Sequence, residues 1–292
     1  ARSVTTGILS EDLYYMDSSA YDVELVEVNS DRSEFAPAYY RDGLVFSSSR
    51  KMDNTSTRKY HRDGGYYLDL YYSSLTPGPS GDIEVIPVGS NTNYHDGPVV
   101  FYNNDSRVIF TRNEQGKSRD GLRTLLLMEA DVAANGQWEN VRALPMNKEN
   151  YSMSHPALSA DGRRLYFVSN MPGGQGGTDI WYSVRDGNSW GESVNMGPSV
   201  NTAEDEMFPA ILGTQLFFAS DGHPGLGGLD IFIAEPLQED QYLVRNAGYP
   251  LNTSKDDFGL ISRNGRTGYF SSNRAGQDDI YSFERDKVLV DI

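Results

Sequence analysis

The chain has 292 residues, 25 basic against 41 acidic side chains, a net charge of −16 and no cysteine. The missing cysteine excludes a disulfide framework, a thiolate-ligated metal centre and a cysteine nucleophile. The acidic balance repels phosphate backbones and anionic headgroups, so nucleic acid and a bare lipid surface are not expected partners. No apolar run approaches the roughly 20 residues of a membrane-spanning helix, and direct membrane insertion is not expected.

Residues 1–20 contain no repeat and read as a lead-in segment. From residue 21 the chain is repetitive, and a fixed period of this size marks a repeat architecture. The clearest copy is 154–183, S-H-P-A-L-S-A-D-G-R-R-L-Y-F-V-S-N-M-P-G-G-Q-G-G-T-D-I-W-Y-S, and it recurs at 207–234 as M-F-P-A-I-L-G-T-Q-L-F-F-A-S-D-G-H-P-G-L-G-G-L-D-I-F-I-A. Looser copies begin near Phe35, Asp96 and Asp257. The anchor positions Pro37, Pro98, Pro156, Pro209 and Gly259 lie 50–61 residues apart.

Within each copy, apolar runs of four to six residues are bounded by Asp-Gly, Asn-Gly or Gly-Gly, which is strand-and-turn patterning. In the third copy an inner strand at 156–159 leads through Asp161-Gly162 to a second strand at 164–169. A third strand follows at 179–184 after a Gly-rich loop, and a fourth at 190–195. Further outer strands are expected at 23–28, 83–88, 141–146 and 242–247. Sustained helical spacing is missing throughout. Because the chain opens with an outer strand and runs out after a third one, 23–28 is expected to complete the last blade. The expected fold is an all-β five-bladed β-propeller with four-stranded antiparallel blades over 21–286, closed by its N-terminal strand, with six blades as the alternative. Residues 287–292 then start a linker to a further domain.

The P-A-L-S-A-D-G-R-R-L-Y-F frame resembles the Pro-Asp type of WD-like repeat of TolB-like propellers. The frames S-N-M-P-G-G-Q-G-G-T-D-I-W at 169–181 and S-D-G-H-P-G-L-G-G-L-D-I-F at 220–232 are similar to the propeller domain of OmpA-family periplasmic lipoproteins of Bacteroidetes, components of type IX secretion. This resemblance implies a non-catalytic protein–protein interaction scaffold, periplasmic and associated with the outer membrane. Its partners would be other secretion-machinery proteins, and peptidoglycan would be bound only by a separate domain. Copies one, two and five depart from the Gly-Gly-x-Asp pattern.

Three groups of residues stand out. Asp69, Asp179, Asp230 and Asp279 open the third strand of their copies; they suit either calcium or the pinning of their own loops through backbone N–H groups, and recurrence favours the second. Glu34, Asp96, His155, Glu206 and Asp257 stand at the inner-strand entrances, where they would form an acidic channel mouth or a solvated rim. The insertion 50–67 gathers Arg50, Lys51, Arg58, Lys59, Tyr60, Arg62, Tyr66 and Tyr67, a basic and aromatic mix suited to a partner-binding loop. No catalytic residue, cofactor or metal is assigned. The alternative reading is a five-bladed carbohydrate-active enzyme or glycan-binding lectin, which as a hydrolase would need a pair of carboxylates.

Overall fold

A computed structural model describes residues 20–51, 67–75, 83–88, 94–113, 124–187, 189–238 and 241–285. Those residues form strands and turns without helix, in five antiparallel sheets. Blade 1 is Glu34–Tyr40, Gly43–Ser48, Asp69–Ser74 and Ile83–Val85; blade 2 is Asp96–Tyr102, Arg107–Asn113, Leu125–Val132 and Trp138–Ala143. Blade 3 is Met153–Leu158, Arg164–Ser169 and Asp179–Asp186, with an outer edge divided into Ser189–Trp190 and Val194–Asn195. Blade 4 is Glu206–Leu212, Gln215–Ser220, Asp230–Gln238 and Gln241–Asn246; blade 5 is Asp257–Ser262, Thr267–Ser272 and Asp279–Arg285. The N-terminal strand Tyr21–Leu25 supplies the fourth strand of blade 5, pairing antiparallel with Tyr281–Arg285. Inner strands neighbour one another in ring order, blade 5 returning to blade 1.

The five-bladed reading and the closure stand as the repeats predict. Outer strands are the element whose bounds differ most from the sequence reading, because they make few contacts. In blade 3 the chain leaves the sheet after Trp190 and rejoins it at Val194, with Gly191 between, its N–H bonded to the Val184 carbonyl.

Apolar residues fill the spaces between blades. Phe217, Ile231, Ile233, Leu260, Phe270 and Phe283 pack blade 4 on blade 5, while Tyr40, Val45, Leu70, Phe110 and Trp138 pack blade 1 on blade 2. Alternation along each strand sends successive side chains to opposite blade faces, so both faces of every blade read as apolar.

A second device holds the outer segments of four of the five blades. The Asn252 amide accepts from the Ile231 N–H at 2.7 Å and donates to the Ile231 carbonyl at 2.8 Å, imitating a strand neighbour. Asn201 does the same for Ile180, Asn147 for Leu127, and Asn29 for Ile280 across the ring closure. Asn252 is fully buried. Each buried backbone group left unpaired costs about 1–3 kcal/mol. Asn252→Ala is therefore expected to lower stability by about 2–4 kcal/mol, seen as a lower urea midpoint at unchanged slope.

Candidate functional site

Two cavities meet at Tyr39. The first, of about 230 Å³, runs along the ring axis and is lined by inner-strand residues of all five blades, including Tyr39, Phe101, His155 and Phe208. Four aromatic rings from four blades form an arc here. His155 stacks on Phe208 with centroids 4.0 Å apart, Phe208 lies 4.7 Å from Phe258, and Phe258 lies 6.3 Å from Phe35.

The backbone behind this arc is strained. Ala36, His155 and Phe208 have φ of 53°, 48° and 50°, each directly before a proline, and Gly259 has 64°. For side chains with a Cβ this region costs on the order of 1–3 kcal/mol and persists only when its surroundings hold it. The holding groups come from neighbouring blades. The Ala36 N–H donates to Ser271 Oγ at 2.9 Å, the His155 N–H to Thr111 Oγ1 at 3.0 Å, and the Phe208 N–H to His155 Nδ1 at 3.3 Å. With Nδ1 accepting, the neutral imidazole carries its proton on Nε2. Burial pushes the His155 pKa down to about 3, so the ring stays neutral at physiological pH.

The second cavity, of about 570 Å³, opens between blade 5 and blade 1 and is lined by Asp22, Glu24, Tyr39, Arg263, Tyr269 and Glu284 among others. The Arg263 guanidinium lies 4.3 Å from the Tyr39 ring centroid, and Tyr39 meets Tyr269 edge to face at 6.1 Å. Burial pushes the Tyr39 hydroxyl up to about 12, reinforced by Tyr269 and opposed by Arg263, so it remains a proton donor. The closing strand places Asp22 directly opposite Glu284, with Glu24 one row further along opposite Ser282. All three acids are exposed. Like charges directly opposite on neighbouring strands are destabilising, and nothing in the packing requires an acid at either position.

The residues singled out from sequence are placed as follows. Glu34, Asp96, Glu206 and Asp257 are 0%, 2%, 0% and 0% exposed, so they are sealed within the ring instead of open to a channel mouth. Three of them are paired with arginine: Arg50 bonds Glu34 at 3.0 Å, Arg112 bonds Asp96 at 2.6 Å and Arg274 bonds Asp257 at 2.7 Å. Glu206 accepts from the Thr202 N–H, the Thr202 hydroxyl and the Ser220 hydroxyl. Only His155 of that group lines the axial cavity.

Asp179 and Asp230 bond the backbone of their own Gly-rich loops, at the N–H groups of Gln175 and of Leu226 and Gly227. A Cβ on Gly174 or Gly225 would fall 1.7 or 1.8 Å from the bonded carboxylate oxygen, which is why those loop positions are glycine. Asp279 accepts from Gln277 Nε2 at 3.4 Å. Asp69 opens its strand half-buried, with its carboxyl raised to about 6 by burial and by Asp96.

Of the 50–67 insertion, Arg50 lies inward on Glu34, Tyr67 is buried against His95, and Lys51 is exposed. Arg58, Lys59, Tyr60, Arg62 and Tyr66 lie outside the described residues. Sequence reasoning missed the Asp22–Glu284 pair, since only the strand register across the closure brings these distant residues together.

No family model matches the chain, and no curated protein matches it. Among solved structures, it is similar to an α-L-arabinofuranosidase from Lactobacillus brevis, at 7% identity over 93% of this chain and 94% of that one, with a TM-score of 0.55. It is also similar to a thermostable family-43 glycoside hydrolase, at 11% identity over 89% and 91%, with a TM-score of 0.52. The chain spans about a third, 32%, of the length of a prolyl endopeptidase to which it is 16% identical at a TM-score of 0.43. The two likenesses with TM-scores above 0.5 show the β-propeller fold. They also correct the expectation of a non-catalytic module. The ring arrangement shared at a TM-score above 0.5 is one in which glycoside hydrolases work, so the fold gives no ground for excluding an enzyme.

Opposite pH dependences are expected for two buried groups. The His155 pKa is lower folded, about 3, than its ordinary 6.5, so its contribution is lost as pH falls below 6.5. Asp230 is raised from 3.8 to about 6, chiefly by burial, so folding gains stability as pH falls through 6. Urea unfolding between pH 7 and 4 should show the native chain losing ground to His155→Gln and gaining on Asp230→Asn.

Proposed function

We propose that this chain is a carbohydrate-active propeller whose site is the groove between blades 5 and 1, continued by the axial cavity behind Tyr39. The observation that carries the reading is the Asp22–Glu284 pair, two exposed carboxylates opposed across the closing strand beside the Tyr39, Tyr269 and Arg263 side chains. Directly opposed residues have Cβ atoms about 4.5–5.5 Å apart, so rotation of these two exposed side chains can bring their carboxyls to the roughly 5–5.5 Å separation of retaining glycoside hydrolysis. One carboxyl then protonates the glycosidic oxygen as its bond to the anomeric carbon breaks and the other carboxylate bonds that carbon; water, deprotonated by the first, then displaces the nucleophile and releases the sugar. The tyrosine rings offer flat apolar surfaces with a polar edge, and Arg263 a fork of donors. The glycoside hydrolases that share the fold support this reading at the level of fold alone.

The test measures hydrolysis of aryl arabinofuranosides and xylosides together with binding to a glycan array. Asp22→Asn and Glu284→Gln are expected to reduce turnover about 100-fold or more while binding survives, and Tyr39→Ala to abolish binding. A native chain that neither binds nor cleaves any glycan contradicts the proposal.

A second reading is favoured by the two Gly-rich loops, 171–178 and 222–229. They are largely exposed yet fixed, with Gly177 N–H on the Glu204 carbonyl, Gly228 N–H on the Lys255 carbonyl, and Thr178 and Leu229 N–H groups on Asp205 and Asp256. Rigid matching loops suit a protein partner, which under the sequence resemblance is a type IX secretion protein met in the periplasm at the outer membrane. Residues 21–286 would then be one domain of that assembly. Capture from outer-membrane extracts should recover such a partner with the native chain and not after replacement of both loops. Equal recovery by both would remove this reading.

A further inference from the structure

At four of the five junctions two acids are placed side by side by one recurrent backbone bond. The inner-strand acid donates its N–H to the carbonyl of the residue just before the strand-opening aspartate of the preceding blade: Asp96 to Leu68, Glu206 to Thr178, Asp257 to Leu229 and Glu34 to Asp278. The pairs are Asp69–Asp96, Asp179–Glu206, Asp230–Asp257 and Asp279–Glu34. In blades 1, 4 and 5 the second-strand residue in register with both the inner-strand acid and the strand-opening aspartate is Ser48, Ser220 or Ser272, whereas in blade 2 it is Arg112, with Asp96 on one side and Leu126 on the other. At the junction of blades 2 and 3 the same register positions hold Leu126 and Met153, so both acids are replaced together by apolar residues.

Two buried carboxylates side by side need a positive charge or must lose one negative charge. Three pairs have an arginine: Arg112 on Asp96, Arg274 on Asp257 and Arg50 on Glu34. Among the described residues the Asp179–Glu206 pair has none. Where blades 1 and 5 place Arg50 and Arg274 two residues beyond the second-strand serine, blade 4 has Gly222, and a Cβ there would strike Thr202 Oγ1 at 1.9 Å, the hydroxyl that bonds Glu206. Asp179 and Glu206 are 1% and 0% exposed, and Asp179 Oδ1 is buried with no hydrogen-bond partner, as is Asp230 Oδ1, whose pair has Arg274; what sets the Asp179–Glu206 pair apart is an orphaned oxygen with no arginine beside it. Glu206 Oε2 accepts only the Thr202 N–H, at 2.7 Å, and keeps a free lone pair.

We propose that the Asp179–Glu206 junction binds a hard cation of the Ca²⁺ class, which supplies the charge that arginine supplies at the other three. Oxygen donors of this kind suit such an ion. No third acidic or histidine side chain joins the group among the described residues, so its other ligands are backbone carbonyls and water. With only two carboxylates among its ligands, the site is expected to bind with moderate affinity.

The test uses the whole chain, stripped with a chelator and titrated with Ca²⁺ at constant ionic strength, with thermal midpoint and Tb³⁺ luminescence as readouts. Ca²⁺ should raise the midpoint of the native chain, and the double variant Asp179→Asn, Glu206→Gln should lose that rise and weaken Tb³⁺ binding at least tenfold. Asp230→Asn, at an arginine-served junction, should keep both. A second double variant, Asp179→Leu with Glu206→Met, copies the apolar junction and should fold with a midpoint indifferent to Ca²⁺. A native chain whose midpoint ignores Ca²⁺, or a response that survives in Asp179→Asn, Glu206→Gln, overturns the proposal in favour of a shared proton or a buried water.

Discussion

Everything in this ring depends on the antiparallel pairing of Tyr21–Leu25 with Tyr281–Arg285. Each of the other blades completes itself from contiguous sequence, but blade 5 has only three strands of its own. Without the N-terminal strand it would present a bare edge, the feature that all-β proteins most need to cover. The Asn29 amide extends the pairing by bonding both backbone groups of Ile280, and the Val26 N–H reaches the Ile280 carbonyl. Tyr21 and Val23 then pack on the apolar layer between blades 4 and 5, so closure also completes a core.

The same pairing shapes the junction of blades 5 and 1. Its buried apolar cluster is small, consisting of Val28, Phe46, Tyr71 and Ile280. Ser282 stands where blade 4 has Ile233, since both lie three residues after the strand-opening aspartate. With a smaller polar residue there the blades stay apart and a groove remains, floored by acids from the closing strand. A structural joint and a candidate site thus occupy one place. The register that closes the ring sets Asp22 against Glu284, and a slip of the closing strand by one residue would turn Asp22 to the other face.

The repeats made much of the architecture legible. Short apolar runs between Asp-Gly and Gly-Gly turns fixed blade number, strand order and closure, because those signals are local and recur. Outer strands were less legible, since Ile83–Val85 and the divided edge of blade 3 are short and few contacts define their ends. The inner-strand acids illustrate what a pattern leaves open. Their positions in the repeat were plain, yet an acid facing a channel and an acid sealed beside an arginine look alike until the neighbouring blade is in place. Two of the four asparagines that clamp a third strand carried a sequence signal, the recurring N-T of Asn201-Thr202 and Asn252-Thr253, but an amide that imitates a strand is recognisable only with its distant partner. The Asp22–Glu284 pair lay further out of reach, with 262 residues separating its members in the chain.

The account's central claim is that ring closure builds the ligand site, and a crystal structure of the chain with an arabinoxylan oligosaccharide tests it most directly. Closure predicts a sugar ring against Tyr39 and Tyr269, with its glycosidic oxygen within hydrogen-bond reach of Asp22 or Glu284. An oligosaccharide bound only on the Gly-rich loops, or at a groove between two other blades, would contradict it.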